Sequence, residues 1–219
     1  MKALTWQGAD KVSVETVDDP TIEKPTDAII EVTSSGVCGS DLHLISVLAP
    51  YMNEGDIMGH EPMGRVVEAG SASGLKVGDR IVVPFNISCG HCWMCDHSLY
   101  SQCETTQVTE KGSGASLLGF SELYGSVPGG QAQYLRVPHA DFGAIKVGNE
   151  LEDHRYVFLS DVLPTAWQGV KYADVGEGDT IAVYGLGPIG QMAARMARHM
   201  GARVFGIDPV AERREMAAR

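Results

Sequence analysis

Short runs of β-branched and apolar residues, each broken within a few positions by glycine, proline or a polar turn, fill the first two-thirds of the chain. Residues 12–17, 29–33, 65–68 and 80–83 are of this kind, and Gly55, Gly70, Gly74, Gly78, Pro84 and the pair Gly129 and Gly130 punctuate them. Frequent strands with no sustained helical period between them predict a mainly antiparallel, barrel-like domain. The pattern changes after about Leu159. Positions 164–173 have helical character, with Ser160 or Asp161 near the cap. Residues 180–184 form a short apolar run suited to a strand buried on both faces. A glycine-rich turn follows, and Ala, Met and Arg favour a helix over 191–200. Residues 203–207 repeat the buried-strand pattern, so this stretch reads as one βαβ unit. The expected fold class is α/β plus β, with one domain over 1–160 and the start of a second over 161–219.

The glycine-rich turn is Gly185-Leu186-Gly187-Pro188-Ile189-Gly190, and it stands between a strand and a helix. In that context Gly185 permits the tight turn, Gly187 lets backbone approach a pyrophosphate, and Gly190 lets the helix pack close to the strand. Pro188 and Ile189 are candidate cofactor-binding residues of the same turn, and the N-terminus of the helix after it faces phosphate charge. Asp208 ends the second strand, about twenty residues beyond the motif, where a carboxylate accepts from the ribose hydroxyls of NAD and repels the 2′-phosphate of NADP. Arg213 and Arg214 follow closely and slightly weaken that preference. The plainer alternative is a structural βα turn that binds nothing. A complete dinucleotide-binding sheet has six strands. The sequence reaches only the helix after the second, so the nucleotide domain is expected to be incomplete.

Composition narrows the partners. Of 219 residues, 44% are hydrophobic and 21% charged, close to globular averages and unlike a disordered chain. Seventeen Lys and Arg stand against 28 Asp and Glu, for a net charge of −11 and a pI near 5.0. With no Lys/Arg-rich block, the chain is a poor match for nucleic acid or an anionic membrane. No apolar run approaches the ~20 residues that span a bilayer. The N-terminus lacks the apolar stretch of a signal peptide. A cytoplasmic protein is expected.

Four of the five cysteines, Cys89, Cys92, Cys95 and Cys103, fall within fifteen positions. Residues 86–105 contain few apolar side chains, too few to hold such an excursion by burial. A closed four-thiolate zinc site of the structural type would hold it. Disulfides or an iron–sulfur cluster are the alternatives on the same residues. The fifth cysteine, Cys38, lies in Gly36-Val37-Cys38-Gly39-Ser40-Asp41-Leu42-His43, and His60 lies in Gly59-His60-Glu61. Alone, each of these is more often a small core residue or a hydrogen-bonded structural histidine than a ligand.

Taken in order, Cys-Gly-Ser-Asp-Leu-His, Gly-His-Glu, the cysteine lobe and Gly-x-Gly-x-x-Gly resemble the zinc-containing medium-chain alcohol dehydrogenase family over essentially the whole chain. The resemblance implies a GroES-like barrel carrying both zincs, followed by a Rossmann domain that binds NAD. It implies that Cys38 and His60 hold a catalytic zinc. The segment around Asp161 is similar to the branch of glutathione-independent formaldehyde dehydrogenases, in which the matching Asp is the third ligand. Glu61 is the competing ligand. The same resemblance implies that Thr165 lies beside the nicotinamide, that Ser40 and His43 pass a proton to solvent, and that Asp41 fixes the tautomer of His60. The implied reaction is hydride transfer between NAD and a small alcohol or aldehyde bound at zinc, in an enzyme that is a homo-oligomer at full length. A polyol dehydrogenase of the same family, and a zinc-stabilised truncated fragment without turnover, are the other readings.

Overall fold

In the computed structural model, which describes residues Met1–Arg219, the β-branched runs near the N-terminus become antiparallel strands. The chain divides into two units, Met1–Ser160 and Asp161–Arg219. In the first, β1 (Lys2–Trp6) pairs with β2 (Val12–Thr16) as a hairpin. Next come β3 (Ala28–Ser35), the short helix α1 (Gly39–Ile45), β4 (Pro62–Ala69) and β5 (Arg80–Val82). One-turn helix α2 (Trp93–Asp96), β6 (Tyr134–Val137), α3 (Ala140–Gly143), β7 (Ile145–Val147) and α4 (Asp153–Tyr156) complete the unit.

The main sheet has the order β6-β3-β4-β5-β7 and every neighbour is antiparallel. Ile30, Val66, Ile81, Leu135 and Val137 from four of its strands meet in one buried cluster. Burial of a side chain of that size stabilises by about 1.5–3 kcal/mol. Arg80 fastens the far end of the unit. Its buried guanidinium donates to the carbonyls of Gly148 and Leu151 and to the Asp153 carboxylate. Burial pushes the Asp153 carboxyl up, but the Thr33 hydroxyl and Arg80 outweigh it and hold the group below its ordinary value.

The second unit contains α5 (Val162–Tyr172), β8 (Thr180–Tyr184), α6 (Pro188–His199), β9 (Arg203–Ile207) and α7 (Ala211–Ala218). Strands β8 and β9 are parallel, with Thr180 opposite Arg203, so β8-α6-β9 is a βαβ segment. Val170, Val175, Ala197 and Ala202 form its core.

Three details differ from the sequence expectation. Helix α5 starts at Val162, ahead of Pro164, because proline is tolerated in a first turn whose N–H groups have no partner within the helix. For the same reason α6 starts at Pro188. The two parallel strands are covered on one face only: Ile181 and Val204 pack into the core, while Tyr184 and Phe205 are exposed. No helix is long and apolar enough to cross a membrane.

Candidate functional site

Two groups of metal-ligating side chains form, by different routes. The first comes from strand register. Ser35, the last residue of β3, pairs with Pro62, the first of β4. The ladder runs one step further, because the Gly36 N–H donates to the Glu61 carbonyl at 2.9 Å. The chain leaving β3 towards Cys38 therefore runs beside the chain entering β4 through His60 and Glu61. Donor atoms of Cys38, His60 and Glu61 lie within 4.8 Å of one another. The approach depends on Gly36, since a Cβ there would collide with the Glu61 carboxylate.

Asp41 organises this group. The Cys38 backbone N–H donates to its Oδ2 at 2.9 Å, closing a capping box at the start of α1. Its Oδ1 lies 3.1 Å from His60 Nδ1. An imidazole that donates from Nδ1 presents the Nε2 lone pair to a metal. The buried ring of His60 is also braced edge-on by Phe120 and Phe85, with centroids at 5.0 and 6.3 Å. Gln131 bonds the same device from behind, its Nε2 reaching Asp41 Oδ2 at 3.3 Å and the Gly36 carbonyl at 3.4 Å. Thiolate, imidazole and carboxylate are all zinc donors, so the residues present fit that ion. Ser40 Oγ lies 3.7 Å from Cys38 Sγ, and His43 is exposed in the last turn of α1.

The second group is local in sequence. The sulfurs of Cys89, Cys92, Cys95 and Cys103 lie within 4.8 Å of one another, and no disulfide joins them. Three of these cysteines and Ala115 are the buried cluster here, while Trp93, Leu99 and Tyr100 point outward. The lobe thus has a core made mostly of sulfur. Ionisation is unequal within it. Burial pushes the Cys95 thiol up to about 12, with Cys92 and Cys103 adding to the rise. Burial also raises Cys103, but hydrogen bonds from the N–H of Cys89 and from Thr106 outweigh it and bring the thiol down to about 6. A dication among four sulfurs lets all of them ionise together, which is the chemistry of a closed tetrathiolate zinc site.

In the second unit, Gly185 has φ +84° and Gly187 caps α6 from an extended conformation. A Cβ on Gly190 would strike the Gly185 carbonyl, so helix and turn touch as the motif requires. Nothing lies within 4 Å of the position a Gly187 Cβ would take. Pro188 and Ile189 are exposed at the first positions of α6. Buried Asp208 braces the turn, accepting from the N–H of Leu186 at 2.7 Å and of Val210 at 2.8 Å. Those two bonds, with Arg213 at 3.5 Å, hold its carboxyl below the ordinary range. Asp161 stands at the N-cap of α5, and its Oδ1 accepts from the exposed Thr165 hydroxyl at 2.8 Å.

Several supporting groups escaped the sequence reading. Gln131 carries no motif that would single it out, and its partners lie about ninety positions upstream. His91 and Thr105 bond the Cys89 sulfur. His91 sits between two cysteines, and that position was the available signal.

A family model described as the alcohol dehydrogenase GroES-like domain matches residues 24–148. A zinc-type alcohol dehydrogenase-like protein, AdhB, of Bacillus subtilis is 45% identical over 223 residues, covering all of this chain and 58% of that protein. The glutathione-independent formaldehyde dehydrogenase of Pseudomonas aeruginosa is 37% identical over 95% of this chain and 54% of its own length. Among solved structures, the alcohol dehydrogenase TADH from Thermus sp. ATN1 superposes with a TM-score of 0.90 at 35% identity, over the whole of this chain and 61% of that one. The chain spans a little over half the length of these relatives. With a GroES-like domain, a four-cysteine lobe and the Cys38–His60–Glu61 group in one unit, and a βαβ segment in the other, the chain belongs to the zinc-type medium-chain alcohol dehydrogenase family.

Proposed function

We propose that the chain is the zinc-bearing part, with the first βαβ of the nucleotide-binding part, of an NAD-dependent dehydrogenase. The reaction is hydride transfer between a small alcohol or aldehyde and NAD. The observation that carries the proposal is the meeting of Cys38, His60 and Glu61 donor atoms, with Asp41 against the far nitrogen of the imidazole. When bound, zinc supplies Lewis acidity that polarises an alcohol or aldehyde oxygen.

The remaining roles belong to the chain. Cys38 and His60 hold the ion, and Asp161 is the third ligand in this proposal. Support for Asp161 is covalent. The Ser160 carbonyl accepts from the Phe85 N–H at 3.3 Å, Phe85 braces His60, and Asp161 is one peptide bond further on. Ser40 and His43 carry the proton towards solvent, an imidazole being suited to this near neutrality. Thr165 borders the nicotinamide. The N–H groups of the Gly185–Gly190 turn receive the pyrophosphate, and Asp208 accepts from the ribose hydroxyls, favouring NAD over NADP. The assignment to domains over 1–160 and 161–219, a cytoplasmic location and homo-oligomeric assembly belong to the same proposal.

A polyol dehydrogenase, with Glu61 as third ligand, draws on the Glu61 oxygen within the same donor set. Metal content separates the two. Asp161→Ala is expected to lose one of two zinc equivalents while Glu61→Gln keeps both, and the opposite result selects the polyol reading. NADH formation from primary alcohols, measured on a chain of its relatives' full length, tests the reaction. No NADH from any alcohol with both zincs bound overturns it.

A further inference from the structure

The four sulfurs of the lobe are not held alike. Cys103 Sγ accepts from the backbone N–H of Cys89 at 3.3 Å. A backbone donor survives any substitution but proline. Cys92 Sγ lies 3.9 Å from Cys103 Sγ. Cys89 stands out for its side-chain support, since two side chains converge on its sulfur. The Thr105 hydroxyl donates to Cys89 Sγ at 3.1 Å, and His91 Nδ1 lies 3.1 Å from the same atom. Neither side chain has a place in the proposed reaction, and His91 is exposed to solvent.

We infer that His91 and Thr105 are positioning residues of the lobe's metal site, donating two hydrogen bonds to the Cys89 thiolate and so setting how tightly the four sulfurs retain their ion. The inference rests on the reading of the lobe as a metal site. Four thiolates around one dication leave net negative charge on sulfur, in a cluster with almost no carbon core to share it. A charge-assisted hydrogen bond draws part of that charge away from the sulfur. It also fixes the lone pair that points at the ion, as outer partners of metal ligands do elsewhere. His91 donates from Nδ1 and so carries its proton there. Thr105 reaches from the far end of the lobe, two residues beyond Cys103. The pair therefore ties the first cysteine to both flanks of the loop.

The test uses the whole chain loaded with cadmium-113, because a four-sulfur site gives an NMR resonance separate from a site with fewer sulfurs. Thr105→Val and His91→Leu each remove one donor. Each is expected to shift the four-sulfur resonance and to lower by about tenfold the chelator concentration that bleaches it, with about a hundredfold loss for both together. Thr105→Ser and His91→Asn keep a donor and are expected to restore the parent behaviour. Circular dichroism confirms folding of each variant. Variants that bind like the parent overturn the inference, as do Ser and Asn variants that fail to rescue, since packing would then explain the loss. A parent chain that shows no four-sulfur resonance overturns the reading of the lobe, and the inference falls with it.

Discussion

The two metal groups of the first unit are built in opposite ways. The cysteine lobe takes its ligands from fifteen consecutive positions, has little apolar core, and turns Trp93, Leu99 and Tyr100 outward. The Cys38–His60–Glu61 group takes its donor side chains from the ends of two paired strands, beside a well-filled core and behind the Asp41–Gln131 network. On the proposed reading, an ion holds the lobe together. At the strand ends the structure makes the site. Removing the ion should therefore cost the lobe its fold and cost the second group only its chemistry.

Cys95→Ser is the largest way to break that contrast. Structural zinc contributes about 10–16 kcal/mol in zinc-finger peptides, far more than the lobe's few apolar contacts can replace. Hydrogen exchange is expected to become fast over 86–105 while β3 and β4 stay protected. Equal protection of the lobe in parent and variant would refute a sulfur-based core. A middle-sized test acts on the other group. Asp41→Asn is expected to weaken zinc at Cys38 and His60 by about 10–100-fold, read by competition with a chelator, while leaving the lobe's ion in place. Loss of both ions together would show that the sites are not independent.

The smallest effect is one of pH and sharpens the contrast from outside, since it concerns a turn braced by a carboxylate and not by a metal group. The Asp208 carboxyl is lowered from 3.8 in the folded chain, so its stabilising contribution is complete above about 4 and is lost as pH falls through the folded value. Asp208→Asn is expected to flatten the acid side of the melting profile of the second unit without changing zinc content. An unchanged profile would show that the carboxylate does not brace the turn.

What the sequence disclosed follows the same division. The lobe was legible because its ligands are neighbours and their spacing is itself the signal. The glycine-rich turn was legible because strand, turn and helix are contiguous. Cys38 and His60 were legible only through a family resemblance, since no local rule gives the Ser35–Pro62 register that joins them. Gln131 was invisible, being a distant polar residue with an ordinary side chain. The apolar runs at β8 and β9 suit strands buried on both faces, but periodicity reports the character of a strand and not what covers it.

The extra rung between Gly36 and Glu61 has one more consequence. A β-ladder displaced by a single residue turns every side chain to the opposite face of the sheet. In such a misaligned strand pair the sulfur and the imidazole would no longer converge. The buried faces of β3 and β4 hold the observed alignment without any ion, so the convergence of sulfur and imidazole is inherited from the packing of the sheet.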